Sequence, residues 1–281
     1  VNKINSPVKV SLIQGNISQD KKWDSKFLNE SLINYMGLIK SSSGSLIVLP
    51  ETSIPLMLHQ IPNSYLNDIR SYAIKNDADV ILGVIEKDEK KFYNSAISIG
   101  ASPMQRYRKS HLVPFGEFIP FNKIIGYIYK HWLDIPFSNL SSGQEKQPLI
   151  DLNGQRLGLN ICYEDVFGYE IIKSLPEATL LVNISNDAWY GKSIAASQHL
   201  QISQARAMET QRMMLRATNT GITAIINTDG NLISSLPQHE VGVLDGIVQG
   251  YKGSTPFSKY GNYPVIILCL LSLLFIVRSK R

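Results

Sequence analysis

The sequence predicts an α/β sandwich, in which helices cover the outer faces of β-sheets. Two observations support this fold class. The first third of the chain alternates strand-type and helix-type segments, and later turn pairs predict β-hairpins. The chain has 281 residues and is 44% hydrophobic. That length and composition suffice for one large core, or for two domains at most.

The first third of the chain reads as β-α-β-α-β. Apolar and β-branched runs predict strands at Val8–Gln14, Leu46–Leu49 and Val80–Val84. Between these strands, apolar residues recur at helical spacing over Asp24–Lys40 and Asn63–Asn76.

Two turn pairs shape the rest of the domain. Asn153-Gly154 and Asp229-Gly230 are pairs that close β-hairpins, and each separates two extended runs. The irregular stretch Phe115–Gln147 predicts a long functional loop with some helix. The four hairpin strands are Leu149–Leu152, Gln155–Ile161, Ile222–Asn227 and Leu232–Leu236. Three other strands are predicted at Tyr93–Ile99, Gln105–Arg108 and Thr179–Ser185, and a long helix is predicted over roughly Ala195–Leu215.

The charged residues and cysteines exclude several function classes. The net charge is +5, and lysines and arginines are scattered up to the tail, which argues against a nucleic-acid partner. Cys162 and Cys269 are the two cysteines, too few for a disulfide framework. The five histidines have no metal-ligand spacing with one another or with cysteine. We therefore expect no metal and no cofactor.

The end of the chain is strongly apolar. Pro264–Val277 is shorter than the roughly 20 residues of a membrane span, but Tyr260 and Tyr263 precede it and Arg278–Arg281 follow it. These flanks predict a C-terminal transmembrane helix, with the C-terminus in the cytoplasm and the preceding domain outside it. A buried C-terminal helix is the alternative.

Three polar side chains follow predicted strands. Cys162 lies at a strand-to-helix turn, where a helix dipole and a nearby cation would lower the pKa of a thiol. Glu51 follows the second strand and could act as a general base. Lys109 follows the strand Gln105–Arg108 and could stabilise an oxyanion. Taken singly, each also fits an ordinary role, as a core cysteine, a surface acid or a solvated lysine.

Glu, Lys and Cys in this order, each at a strand end and more than fifty residues from the next, resemble the nitrilase superfamily. Longer strings resemble one of its subfamilies, the apolipoprotein N-acyltransferases, from about Val8 to the end of the chain. The strings that carry this resemblance are Gln14-Gly15-Asn16-Ile17, Lys22-Trp23, Leu49-Pro50-Glu51-Thr52-Ser53-Ile54-Pro55, Tyr107 to Pro120, Ile161-Cys162-Tyr163-Glu164, Ser185 to Gly191, and Arg216 to Ala224.

The resemblance implies a four-layer α-β-β-α sandwich and a two-step acyl transfer through a thioester. The family moves an acyl chain from a membrane phospholipid to the amino group of a lipoprotein's diacylglyceryl cysteine. Carried over to this sequence, Cys162 resembles the nucleophile, Glu51 the base and Lys109 the group that holds the oxyanion.

Four supporting residues are implied in the same way. Glu117 resembles a second acid that orients Lys109 or Glu51. Tyr163 and Glu164 resemble flanking residues that are needed for activity. Trp23 matches a tryptophan near the lipid entrance, although an ordinary packed aromatic fits it equally well.

The resemblance also implies a domain plan and a location. Residues 1–255 would form a periplasmic catalytic domain, and residues 256–281 a transmembrane anchor in a bacterial inner membrane. Transmembrane helices precede this domain in the family, so the resemblance implies that this sequence, which starts at Val1, corresponds to about the C-terminal half of a family member. Two other interpretations stay open: a hydrolase of a small amide or carbamate with the same triad, and an inactive truncated remnant.

Overall fold

The computed structural model describes residues 1–120 and 139–279. Their strands form two six-stranded sheets. The first sheet has the order β12-β1-β2-β3-β4-β5, and the second has the order β11-β10-β9-β8-β7-β6. The strands are β1 (Asn2–Gln14), β2 (Leu46–Val48), β3 (Asp79–Asp88), β4 (Lys91–Gly100), β5 (Arg106–Arg108), β6 (Ile150–Leu152), β7 (Gln155–Ile161), β8 (Leu180–Ser185), β9 (Met214–Thr218), β10 (Ala224–Ile226), β11 (Leu232–Ser235) and β12 (Gly242–Lys252).

Seven α-helices connect or follow these strands within the described residues. They are α1 (Gln19–Lys22), α2 (Leu28–Ser41), α3 (Asn63–Lys75), α4 (Gly168–Ile171), α5 (Ala195–Thr210), α6 (Pro256–Tyr260) and α7 (Tyr263–Ser279).

Three apolar clusters establish the expected four layers. The central cluster joins residues of both sheets, such as Leu12 and Val48 with Leu159 and Val182, so the sheets pack face to face. A second cluster packs α2 and α3 on the first sheet. A third packs α5 on the second sheet. The layer order is therefore helix, sheet, sheet, helix, as predicted.

Parallel pairing in each sheet creates a common rim. In the first sheet β2 pairs in parallel with β1 and β3. In the second sheet β8 pairs in parallel with β7 and β9. Because the carboxyl ends of parallel strands meet at one edge, residues that follow β7 and β8 are brought close together in the second sheet. The two sheets meet at this edge, where the Asn186 amide, after β8, donates to Glu51, after β2, at 2.9 Å.

Both predicted hairpins are present. β6 pairs antiparallel with β7 across Asn153-Gly154, whose φ angles are 52° and 71°. Positive φ at both central residues matches the twist of the strands, and glycine and asparagine tolerate it. The second hairpin joins β10 to β11 through Gly230, with a φ of 79°.

Two helix predictions were wrong at their ends. The helix predicted over Ala195–Leu215 ends at Thr210, because Gln211 is left-handed at φ 48° and the chain then enters β9. The helix predicted from Asp24 begins as an α-helix at Leu28. Asp24 instead caps a short 3-10 helix by accepting a hydrogen bond from the Lys26 amide, 2.9 Å away.

The C-terminal helix α7 is the segment for which a transmembrane span was predicted. Every side chain from Tyr263 to Arg278 in α7 is exposed, so the alternative of a buried C-terminal helix was wrong. Within residues 1–120 and 139–279, no helix is long and apolar enough to cross a membrane. The predicted transmembrane span is thus not confirmed. Residues 121–138 of the loop with some helix predicted over Phe115–Gln147 lie outside the described residues.

Candidate active site

Five of the seven candidate residues line one cavity at the rim of the two sheets. They are Glu51, Lys109, Glu117, Cys162 and Trp23. Glu51 follows β2 and Cys162 follows β7, so the parallel pairing within each sheet brings both to this rim. Lys109 follows β5, and its amide donates to the Asn94 carbonyl on the neighbouring β4 at 2.8 Å.

Glu51 is held by donors on both carboxylate oxygens. Its side chain lies in the cavity wall, and the residue is only 7% exposed. Asn94 Nδ2 donates to Oε1 at 2.7 Å, and the Asn186 amide donates to Oε2 at 2.9 Å. The Lys109 ammonium lies 3.7 Å from Oε1. Two neutral donors and one cation therefore fix the orientation of this carboxylate.

Lys109 is the most buried member of the triad, at 1% exposure. Its Nζ lies 2.9 Å from Glu117 Oε2 and 3.7 Å from Glu51 Oε1. Burial alone would favour the neutral amine, but the two carboxylates outweigh it and raise the pKa of Lys109. Lys109 is therefore an ammonium at neutral pH, and a fixed positive charge faces the cavity.

Glu117 is itself held in place by neutral donors. The Val113 amide donates to its Oε2 at 2.8 Å, and Asn94 Nδ2 donates to its Oε1 at 2.9 Å. Asn94 thus joins both carboxylates, and Lys109 lies between them.

Cys162 occupies a strained turn at the end of β7. Its φ is 54°, in the left-handed region that residues other than glycine rarely adopt. A one-turn 3-10 helix, Cys162–Val166, follows the strand. The expected strand-to-helix turn is present, but the helix is too short to supply the dipole that was predicted to activate the thiol.

The resting thiol is not activated, contrary to the prediction. Burial and the negative charge of Glu51 raise the pKa of Cys162, and the opposing effect of Lys109 is smaller. The carboxylate of Asp187 raises it further, whereas a hydrogen bond with Ser185 lowers it. The thiol therefore keeps its proton at neutral pH, and forming a thiolate requires a base within the site.

Glu164 links the loop after Lys109 to the Cys162 turn, because its carboxylate accepts hydrogen bonds from both segments. Its Oε1 accepts hydrogen bonds from the amides of Ser110, at 2.7 Å, and His111, at 3.0 Å. Its Oε2 accepts from the Ile161 amide at 2.7 Å. Tyr107 donates its hydroxyl to the same carboxylate, 2.9 Å from Oε2. Burial outweighs these donors and raises the pKa of Glu164.

Tyr163 and Glu164 are the two candidates that do not line the described cavity wall. Tyr163 packs edge-on against Phe167, with 5.0 Å between ring centroids, and Phe167 in turn stacks on His111 at 3.7 Å. Tyr163 therefore supports the loops around the site from outside the cavity.

The cavity has a volume of ≈ 370 Å³. Most of its wall surface is apolar, which is usual for a site that binds a small ligand or an apolar chain. Two exposed aromatic side chains, Phe115 and Trp189, are among its apolar lining residues. The apolar lining residues are Trp23, Ile85, Val113, Pro114, Phe115, Leu140 and Trp189.

Asn94 and Asn186 both contact Glu51 but were not among the predicted site residues, although Asn186 lies within the string Ser185 to Gly191. Asn94 occupies a buried position in β4, and a buried asparagine in an apolar strand is a signal that could have identified it. Asn186 acts through its backbone amide, so no side-chain pattern indicates it.

Within the described ranges, no group of three or more His, Cys, Asp or Glu side chains could hold a metal ion.

Solved structures share the fold. A carbon-nitrogen hydrolase superfamily protein of Xanthomonas campestris matches with a TM-score of 0.64 at 17% identity, covering 87% of this chain and 91% of that one. The NitFhit protein of C. elegans matches with a TM-score of 0.67 at 19% identity, covering 86% and 61% respectively. At these identities the similarity establishes the fold alone.

Curated relatives are closer in sequence. An apolipoprotein N-acyltransferase of Nitrosomonas europaea is 47% identical over 275 residues, which are 97% of this chain and 55% of the relative. One of Chromobacterium violaceum is 43% identical over 98% of this chain and 54% of the relative. The chain therefore spans about half the length of the curated relatives it matches.

The family model for carbon-nitrogen hydrolases matches residues 9–256, from β1 into the start of α6. This range contains every residue of the cavity described above and all of both sheets except the first part of β1. The two-sheet sandwich, the convergence of Glu51, Lys109 and Cys162 on one cavity, and this match agree with one another. The chain therefore belongs to the carbon-nitrogen hydrolase family.

Proposed function

We propose that this chain is the catalytic part of an apolipoprotein N-acyltransferase. It would transfer an acyl chain from a membrane phospholipid to the amino group of a diacylglyceryl cysteine at the start of a lipoprotein. The observation that carries the proposal is the convergence of Glu51, Lys109 and Cys162 on a cavity with mainly apolar walls. Relatives of this name, such as those that are 47% and 43% identical, support the choice of reaction.

In the first step, Cys162 takes the acyl group from the phospholipid. Glu51 removes the thiol proton, and the sulfur attacks the ester carbonyl carbon. The carbonyl oxygen becomes an oxyanion, which the Lys109 ammonium stabilises. The carbon–oxygen bond to the glycerol then breaks. The leaving alkoxide takes the proton from Glu51, which leaves a thioester and a lysophospholipid.

In the second step, the acyl group passes to the amine. The neutral amino group attacks the thioester carbonyl, and a second oxyanion forms beside Lys109. Glu51 accepts a proton from the attacking nitrogen. The carbon–sulfur bond breaks, the sulfur of Cys162 regains a proton from Glu51, and an amide is released. A thioester is reactive enough to acylate an amine without ATP or another cofactor.

The supporting residues have distinct roles in this proposal. Glu117 holds the Lys109 ammonium in position, through the 2.9 Å contact between Oε2 and Nζ. Glu164 fixes the position of the Lys109 loop relative to the Cys162 turn through its hydrogen bonds to both. Tyr163 supports the Cys162 turn by packing against Phe167. Trp23 lines the cavity, where its ring would contact an acyl chain.

We also propose that the enzyme works at the periplasmic face of a bacterial inner membrane. An acyl chain is insoluble, so its donor must be reached at a lipid surface. The apolar helix α7, with leucines such as Leu270 and Leu274 more than half exposed, would contact lipid. In this arrangement residues 1–255 form the catalytic domain, residues 256–281 the membrane-associated segment, and Arg278–Arg281 lie on the cytoplasmic side.

A hydrolase of a small amide or carbamate is the second candidate, because the solved structures that share the fold include a carbon-nitrogen hydrolase superfamily protein. It would use the same three residues, with water in place of the amine. The acceptor that resolves the acyl-enzyme distinguishes the two activities.

The deciding experiment incubates the 281-residue chain with phospholipid dispersed in detergent and measures the intact mass of the protein. We expect one acyl group, released by hydroxylamine and absent from Cys162→Ala. Addition of a diacylglyceryl-cysteine peptide should discharge it with formation of an acylated peptide. An adduct that persists in Cys162→Ala contradicts the proposed nucleophile, whereas discharge to free fatty acid in the presence of the peptide supports the hydrolase.

A further inference from the structure

A second group of ionisable side chains lies behind the nucleophile, on the side away from the cavity. His199 on α5 is at its centre. The ring Nε2 lies 2.9 Å from Asp165 Oδ1, and the ring Nδ1 lies 2.9 Å from Asp187 Oδ1. Both aspartates are almost fully buried, and Arg216 is fully buried beside them. Arg216 lies 3.0 Å from Asp187 Oδ2 and 3.5 Å from Asp165 Oδ2.

The geometry requires both ring nitrogens of His199 to carry protons. A neutral imidazole donates from one nitrogen only, and a carboxylate oxygen can only accept. His199 faces a carboxylate oxygen on each side, so a neutral ring would oppose two acceptors. As an imidazolium, His199 completes a cluster of two cations and two anions, with Arg216 as the other cation. Charge balance of this kind is needed where ionised groups are buried.

The electrostatic balance around the ring agrees with this assignment. Burial and the Arg216 guanidinium favour the neutral ring. The charges and hydrogen bonds of Asp165 and Asp187 outweigh them and raise the pKa of His199 to about 9. Burial acts against ionisation of Asp187 too, but Arg216 and His199 prevail and lower its pKa.

The cluster of His199, Asp165, Asp187 and Arg216 acts on Cys162 in two ways, through contact with its backbone and through charge. His199 Nε2 lies 3.3 Å from the Cys162 carbonyl oxygen, which also accepts a hydrogen bond from Asn183 Nδ2 at 3.1 Å. These donors hold the carbonyl of a residue whose φ is 54°. Asp187 also acts on the thiol through its charge, and it accepts a hydrogen bond from Ser185, which itself bonds to the thiol.

We propose that the His199 imidazolium is a positioning residue for the nucleophile. It holds the backbone of Cys162 in the left-handed turn and balances the charge of Asp165 and Asp187 behind the thiol. This inference rests on the proposed function only in taking Cys162 as the nucleophile. His199 does not contact the substrate cavity, so its effect on the reaction passes through Cys162.

The first test measures alkylation of Cys162 by iodoacetamide as a function of pH. A Cys269→Ser background leaves Cys162 as the only thiol, and His199→Gln removes the ring charge. One uncompensated negative charge behind the thiol should slow alkylation about tenfold at neutral pH and move the rate profile to higher pH. His59→Gln is the matched control, because His59 is exposed, and its profile should coincide with that of the parent.

A second measurement needs no His199 variant of normal stability. NMR titration of the parent chain with ring-labelled histidine should find one of the five histidines doubly protonated well above neutral pH. Loss of that signal in His199→Gln, or in His199→Asn if the glutamine variant does not fold, assigns it. A singly protonated His199 at pH 7, or an unchanged alkylation profile in folded His199→Gln, overturns the inference.

The two proposals fail separately. If Cys162 is alkylated but takes no acyl group from phospholipid, the acyltransferase proposal fails, and the alkylation profile still decides the role of His199. If Cys162 forms the acyl-enzyme and His199→Gln behaves as the parent does, only the role of His199 fails.

Discussion

The ammonium of Lys109 lies closer to Glu117 than to Glu51, at 2.9 Å from Oε2 of the first and 3.7 Å from Oε1 of the second. Glu117 is thus the main ion-pair partner of the buried lysine. Glu51 keeps weaker contact with the cation and is held by Asn94 and by the Asn186 amide. This division leaves Glu51 able to accept and release a proton while the charge of Lys109 stays in place.

Replacement of Glu51 tests its role as the base. Because the resting thiol of Cys162 has a raised pKa, Glu51→Gln should form the thioester roughly 10²–10⁴-fold more slowly, and should transfer the acyl group to the amine similarly slowly. Single-turnover measurements separate the two steps. Thioester formation at the parent rate would exclude Glu51 from the first step and make Glu164 or Glu117 the next candidate.

Replacement of Lys109 tests the oxyanion site. Lys109→Ala should slow both steps by roughly 10²–10³-fold, since each passes through an oxyanion at the same place. It also leaves Glu51 and Glu117 without their shared cation, so we expect a lower midpoint of thermal unfolding. The exposed Lys90→Ala is the control for loss of a lysine. A defect limited to one step would contradict a shared oxyanion site.

Glu164 should contribute to stability as well as to activity. Its carboxylate accepts hydrogen bonds from the amides of Ile161, Ser110 and His111, and an amide group in its place would turn a donor toward some of them. Glu164→Gln should lower the free energy of unfolding by about 2–4 kcal/mol in urea titrations. Glu145→Gln, which removes an exposed ion pair with Lys173, should change it by less than about 0.5 kcal/mol.

The charge state of His199 predicts a pH dependence of stability. The folded pKa is about 9, above the value of about 6.5 in an unfolded chain. The folded state therefore binds this proton more tightly, and the resulting stability is fully present below about pH 6.5 and is lost as the pH rises through 9. Burial lowers the pKa of Lys22 to about 8, so the contribution of Lys22 to stability changes with pH in the opposite direction. That contribution is the same in the parent and in a His199 variant.

The difference in unfolding midpoint between the parent and His199→Gln isolates this effect. It should be largest near pH 6 and should shrink toward about pH 9.5. The difference between the parent and His59→Gln should stay constant over the same range. A His199 difference that grows with pH would show that the ring is neutral in the folded state.

The apolar helix α7 should determine lipid association. A chain that ends at Asn262 loses the exposed apolar surface of Tyr263–Ser279 and should no longer float with phospholipid vesicles. Its urea unfolding should resemble that of the full chain, because the side chains it lacks are exposed. Flotation of the shortened chain would place the lipid-binding surface elsewhere, and the aromatic residues Phe115 and Trp189 at the cavity would then be tested.

Local patterns in the sequence determined most of the fold and the identity of the candidate triad. Strands such as Val80–Val84 and the Asn153-Gly154 turn are encoded by residues within a few positions of one another, which is why they were predictable. Glu51, Lys109 and Cys162 were found because each follows a strand in a recognisable string. The end of α5 was missed, since the left-handed Gln211 and the pairing of Met214 in β9 depend on the neighbouring strand β8.

Only the tertiary structure decided the electrostatics of the site. The sequence predicted a thiol of lowered pKa, but burial and Glu51 raise it, and burial depends on how the two sheets pack. Asn94 joins Glu51 to Glu117 across strands that are far apart in the chain. His199 lies between Asp165 and Asp187 only because α5 packs against the 3-10 turns that follow β7 and β8. Charge interactions act through space, so their sign and size are decided when distant segments meet.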